Sequence, residues 1–155
     1  MNVAKEIAEA LKDAEEYPVR DWDALKIAKE PGIYMFCEGG RQLYVGSATG
    51  QAGIEGRLRR QVRPKGIEDY SWTPENPPPK GVRDARNLLF HVLVDDYGRA
   101  PKPPWENAED ITALNNAFKR IHGMAVRWVK CPDKDTAIRA EHCAICLLQP
   151  EYVAK

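Results

Sequence analysis

Two tyrosines (Tyr34 and Tyr44), an arginine (Arg57) and a glutamate (Glu141) are the residues of this 155-residue chain whose types and placement suit chemistry on an anionic group. A guanidinium offers a planar cationic fork to a phosphoryl group, where charge gathers in a transition state. A phenol beside a cation can accept a proton from water or hold that water in place. A carboxylate on an apolar helix face is costly unless it is paired, neutralised or bound to a cation. Each residue also has an ordinary reading. The tyrosines can be plain strand aromatics, and Arg57 and Glu141 can form a structural ion pair.

The elements that must position them begin with Gly32–Arg57, GIYMFCEGGRQLYVGSATGQAGIEGR. Two apolar runs, Gly32–Cys37 and Gln42–Gly46, flank Glu38-Gly39-Gly40-Arg41 and predict a β-hairpin. Register decides whether the tyrosines can cooperate. A two-residue turn at Gly39-Gly40 pairs Met35 with Tyr44 and sends Tyr34 to the other face. A three-residue loop, with Gly40 left-handed in a bulge, sets Tyr34 across from Tyr44. The sequence permits either, and a shared site requires the second.

Gly32-Ile33-Tyr34, then Tyr44-Val45-Gly46-Ser47, then Arg57 in a following helix, resembles the GIY-YIG endonuclease family. Glu141, in AIRAEHCAICLLQP, is similar to the later helical glutamate of that family, so the likeness spans Pro31 to Pro150 with one long insertion. It implies a small α/β domain with a three-stranded, mainly antiparallel sheet flanked by helices. It also implies Mg²⁺- (or Mn²⁺-) dependent cleavage of nucleic acid, DNA foremost. On the same resemblance Tyr34, Tyr44, Arg57 and Glu141 are catalytic, and Glu141 is the metal ligand. Either tyrosine can be the base. Two departures stand out. Where many members carry a histidine or tyrosine one turn beyond the arginine, this chain has Gln61, which cannot serve as a base. Where members have an asparagine after the final helix, Pro150-Glu151-Tyr152-Val153 offers none, with Tyr152 the nearest substitute. These departures motivate an alternative, a nucleic-acid-binding module that keeps the fold with impaired catalysis. A second alternative is a structural protein whose basic helix faces solvent.

Elsewhere, Val3, Ile7 and Leu11 predict an N-terminal helix over Val3–Glu16, and Asp21–Lys29 a second, short one before Pro31. Ile54, Leu58 and Val62 predict a helix over Ile54–Arg63 with Arg57 on its flank. Residues 64–81 form a proline-broken loop inside an insertion of 64–87, and its Tyr70 and Trp72 either stack on bases or pin the loop to the body. Asn87–Tyr97 fits a buried helix or strand, and helix is the choice. Asp110–His122 reads as a helix and Met124–Lys130 as the third strand, before a last helix capped by Asp133 or Asp135 and running to Leu148. On that helix Ile138 and Ile145, with Ala137, Ala144 and Leu148, put Glu141 on the inward face.

The length suits a single domain over 1–155, with 1–30 a helical extension. Lys+Arg equals Asp+Glu, so bulk charge recommends no polyanion. Distribution says more. Arg57–Arg86 holds eight cations against four acids, a footprint for phosphates or a solvated face. Arg59, Arg60, Arg63 and Lys65 are the candidate nucleic-acid contacts within it. No signal peptide and no bilayer-length apolar stretch are read, which points to a cytoplasmic protein with no membrane partner. Cys37, Cys131, Cys143 and Cys146 are then reduced, and Cys143-x-x-Cys146, mid-helix with no second pair, reads as core thiols. His91, His122 and His142 are not first choices for catalysis.

Overall fold

The computed structural model of the chain describes residues 2–24, 26–62, 70–84 and 86–152. It divides into two compact units, Met1–Leu58 with Gly123–Lys155, and Arg59–His122.

The first unit is built on an antiparallel sheet of four strands rather than the expected three, in the order β1-β4-β2-β3. These are β1 (Tyr17–Pro18), β2 (Gly32–Glu38), β3 (Arg41–Ala48) and β4 (Ala125–Lys130). The additional strand is two residues long, with Tyr17 opposite Val126 and Pro18 opposite Ala125. So short a pairing leaves no periodicity to read. Pro18 donates no hydrogen bond, which suits it only to a sheet edge. The ring of Tyr17 stacks on Trp128 at 4.8 Å, and Val19 N–H bonds Met124 O just beyond the strand.

Side chains at odd positions of β2 form the main core. Ile33, Met35 and Cys37, with Val45 of β3, meet Ala4, Ala8 and Leu11 of α1 (Val3–Asp13) and Ala137, Ala140, Ala144 and Leu148 of α5 (Lys134–Leu148). The buried face of α1 is therefore Ala4, Ala8 and Leu11, with Ile7 partly buried at its margin; of the predicted Val3–Ile7–Leu11 stripe, Leu11 is in the core and Val3 is half exposed. The helix also ends at Asp13, short of Glu16. On α5 Ala137, Ala144 and Leu148 are buried as expected and Ala140 with them, while Ile138 is exposed. Two helices that pack against each other and on the sheet select small residues where backbones come close.

The expected helix over Asp21–Lys29 is a 3-10 turn over Val19–Ala24, followed by Lys26–Glu30 without regular structure. That irregular segment closes the first turn of α2 (Gly53–Val62): Ala28 O accepts from Glu55 N–H at 2.8 Å, and Glu30 O from Ile54 N–H at 3.0 Å. Helix N-terminal donors need partners, and here backbone carbonyls supply them. Gly53 permits the approach, because a Cβ there would run into the Lys29 carbonyl at a φ of +60°.

In the second unit, α3 (Asn87–Tyr97) buries Leu88, Leu89, Val92 and Leu93, a helical spacing that settles the helix-or-strand question. It ends at left-handed Gly98. α4 (Ala108–His122) buries Ile111, Leu114, Phe118 and Ile121, as its pattern predicts. Asn115 on α4 holds the loop before α3. Its Oδ1 accepts from Trp72 N–H at 3.1 Å and its Nδ2 donates to Trp72 O at 2.9 Å. Tyr70 stacks on Phe118, with Trp72 edge-on to the same ring. Both rings are more than nine-tenths buried, so they pin the loop and present no stacking platform. Among the described residues no helix is long and apolar enough to cross a membrane.

Candidate active site

Neither hairpin register foreseen from the sequence is the one adopted. The turn has two residues, with Glu38 opposite Arg41 and both Gly39 (φ 56°) and Gly40 (φ 82°) left-handed. The register then shifts: Cys37 faces Gln42 but Phe36 faces Tyr44, leaving Leu43 as the extra residue of a bulge. Tyr34 consequently lies opposite Gly46. Tyr44, diagonal to it, shares its face, and the two ring centroids are 6.4 Å apart at 39°. The tight turn and the shared face coexist because the bulge adds one residue to β3.

The glycines have specific jobs. A Cβ on residue 46 would lie 2.5 Å from the Tyr34 hydroxyl oxygen and 2.6 Å from its Cζ, so the phenol lies over bare backbone. A Cβ on residue 32 would collide with Ile54 Cδ1 of α2 and the Val129 carbonyl, so Gly32 lets α2 come down on the sheet. Tyr34 is fully buried and Tyr44 is 4% exposed, with Phe36 edge-on to Tyr34 at 5.7 Å.

Arg57 is half-buried on α2, while Arg59 and Arg60 are exposed. Arg63 and Lys65 lie outside the described residues. Glu141 is half-buried on the flank of α5, not at the centre of its inward face, which Ala137, Ala140 and Ala144 occupy. That helix covers the Ile33–Met35–Val45 face, whereas strand alternation turns Tyr34 and Tyr44 to the other. The structure thus brings the phenols together and sets the carboxylate in the opposite layer. β3 is the edge strand of the sheet. Part of that edge is covered. Glu151 N–H bonds Gln42 O and Tyr152 N–H bonds Leu43 O, with Glu151 also forked on Arg41 at 2.7 and 2.9 Å. In place of an asparagine, the segment after α5 supplies these backbone bonds at the bulge, and Tyr44 is the next residue along.

Gln61 has a role its sequence position did not disclose. It is fully buried, and its Oε1 accepts from Leu88 N–H at 3.3 Å, serving the first turn of α3. It is a cap within the second unit.

Among the described residues no three His, Cys, Asp or Glu side chains are grouped to hold a metal. Magnesium asks for less, because it dehydrates reluctantly and keeps waters and substrate phosphates beside one or two carboxylates. A half-buried Glu141 fits that donor requirement. Of the thiols read as core, Cys37 and Cys131 are buried and Cys143 is half-buried, whereas Cys146 is exposed. Burial, followed by Glu16, pushes the Cys37 thiol up to about 11; burial, followed by Asp133, does the same for Cys131.

No protein family, curated protein or solved structure matches this chain.

Proposed function

We propose that the chain is an endonuclease that hydrolyses nucleic-acid phosphodiester bonds, DNA foremost, with a divalent cation, Mg²⁺ or Mn²⁺. The observation that carries the reading is the pair of phenols on one face of the hairpin, 6.4 Å apart, with Gly46 cleared of a side chain beneath one of them. That arrangement joins two tyrosines ten residues apart through a bulge that simple strand alternation would not have required.

Glu141 would hold the cation, which when bound would relieve charge on the phosphoryl oxygens. Tyr44 would accept a hydrogen bond from the attacking water, or donate one to it, and fix its line of approach, with the Tyr34 ring packed beside it. Tyr44 is the better placed of the two for contact with water, since Tyr34 has no exposed surface. Arg57 directs its fork at the phosphate, where negative charge grows toward the transition state.

A second reading has its own support. The buried phenols, the carboxylate in the other layer and Gln61 spent as a cap suit a module that binds nucleic acid without cutting it. Incubating the protein with supercoiled plasmid and Mg²⁺ decides between them. Endonuclease activity predicts nicked or linear product from the wild type, with a loss on the order of 10²–10³-fold for Glu141→Ala and for Arg57→Ala. Salt-sensitive binding with no product from the wild type would instead establish the binding module.

A further inference from the structure

The face of the sheet that carries Tyr34 and Tyr44 continues past them, within the first unit, onto β4 and β1. Trp128 of β4 lies directly opposite Tyr34, and Gly46 of β3 lies opposite it on the other side, so one row across three strands reads Trp128, Tyr34, Gly46. Opposed residues of paired strands point the same way, which puts the indole on the phenol face. Tyr17, opposite Val126, belongs to that face too, and its ring lies on the indole at 4.8 Å and 24°. Where Tyr34 and Tyr44 are buried, these two rings are half-buried. The Tyr17 hydroxyl is spent on Glu15 Oε2 at 2.7 Å. The Trp128 indole N–H makes no hydrogen bond among the described residues. Unlike the buried, unpartnered Nε1 of Trp105, it is also not shut off from solvent. Lys130, on the same face opposite Gly32, is exposed and has no ion pair among the described residues.

We propose that Trp128 and Tyr17 form a stacking subsite for an unpaired base of the DNA strand cut at the phenols, with Lys130 on that strand's backbone. Naming the ligand as DNA rests on the endonuclease reading. Three features fit that occupant. A stacked ring pair that stays half-buried offers aromatic surface that a base can cover, and stacking tolerates any sequence because every base has a π-face. An indole N–H donates only, so its complement is a carbonyl or ring-nitrogen acceptor on a base edge. An exposed, unpaired cation on the same face complements a phosphate. A base inside a duplex has its faces already covered, so the subsite takes a single-stranded or extruded nucleotide and offsets the cost of unstacking it. Neighbouring strands lie about 4.8 Å apart, so a base on Trp128 belongs to a nucleotide at or beside the bond facing the phenols. The pair thereby selects where a strand is cut, without touching the reacting atoms.

The test uses the full chain in EDTA, so that nothing is cut, with a short fluorescent single-stranded oligonucleotide and an abasic strand of equal length. Wild type should bind the intact strand more tightly than the abasic one. Trp128→Ala should weaken binding of the intact strand by about 5- to 150-fold and leave the abasic strand unchanged. Trp128→Phe, which keeps a ring, should recover most of that loss. Lys130→Gln should lower the slope of log Kobs against log[salt] by about 0.7 for both strands. An indole that only props up the sheet would weaken both strands alike, and that result would overturn the subsite. If Trp128→Ala does not fold, wild type carries the test: the Trp128 Nε1–H resonance, assigned with Trp128→Phe, should shift with the intact strand and not with the abasic one. An unmoved resonance, or a wild type that binds the two strands equally or not at all, would overturn the subsite as well. Plasmid cleavage is read separately. Base-dependent binding without cleavage keeps the subsite and removes the endonuclease reading, and cleavage without base dependence does the reverse.

Discussion

A single methyl group at residue 46 would meet the Tyr34 phenol at 2.5 Å, so this glycine shapes the site as directly as the tyrosines do. Gly46→Ala should cost about 1–3 kcal/mol in urea denaturation, because the ring sits in a fully buried cluster with nowhere to retreat. Tyr34→Phe, which keeps the ring and removes only the hydroxyl, should lose plasmid cleavage with a smaller stability cost. Equal unfolding midpoints for Gly46→Ala and wild type would show that the phenol is not held over that backbone. The cysteines give a second residue-level expectation. With Cys37 and Cys131 both pushed up to about 11, only a small fraction of either is thiolate at about pH 8, and both are buried. Alkylation followed by mass spectrometry should find Cys146 modified first and those two last. Gln61 shows the limit of reading at this scale. Its type excluded a base, but its capping partner is 27 residues away, and no local pattern pointed there.

At the scale of elements, the sequence named most of the secondary structure and placed two helix faces only in part, for one reason. The bounds of α3, Asn87–Tyr97, were legible because its apolar run sits between a proline-rich loop and a terminal glycine, but its type was not, since such a run fits a buried helix or strand. In α1 and α5 part of each predicted face is buried, Leu11 on one and Ala137, Ala144 and Leu148 on the other, yet Ala4, Ala8 and Ala140 complete the core where Val3 and Ile138 were expected. Alanine carries little hydrophobic signal and much of the close packing, so each buried face is centred a little away from the predicted one, and Glu141 stands on the flank. The hairpin adds a second lesson: a bulge is one residue of local geometry, and a strict period of two cannot anticipate it. The start of α5 was legible, with Asp133 the cap: its Oδ1 accepts from Thr136 N–H at 2.7 Å, and that bond holds its carboxyl below the ordinary aspartate pKa. A folded-state pKa lower than the unfolded one stabilises above the ordinary aspartate range, and the benefit is lost as pH falls through the folded value. Asp133→Ala should therefore be less stable than wild type near pH 7. The gap in urea midpoints should narrow on acidification to about pH 2–3. A gap independent of pH would mean that the ionised carboxylate contributes nothing beyond its shape.

For the whole molecule, the candidate residues of a formally neutral chain are divided between the two units. Tyr34, Tyr44, Arg57 and Glu141 all belong to the first unit, whereas Arg59 and Arg60 belong to the second. A cation that contacts phosphate equally in the ground state and the transition state changes KM and leaves kcat alone; a group engaged only as the bond breaks changes kcat. Steady-state cleavage of a short duplex should thus separate the two sets. Arg59→Gln and Arg60→Gln should raise KM several-fold, with kcat within about twofold of wild type, and the effect should shrink as salt screens the remaining contacts. Glu141→Ala should lower kcat by about 10²–10³ at saturating duplex with little change in binding. The reverse pattern, with KM rising for Glu141→Ala at unchanged kcat, would make the carboxylate a binding or structural group. The hydrolytic assignment would then have to rest on residues other than the four that first drew attention to the chain.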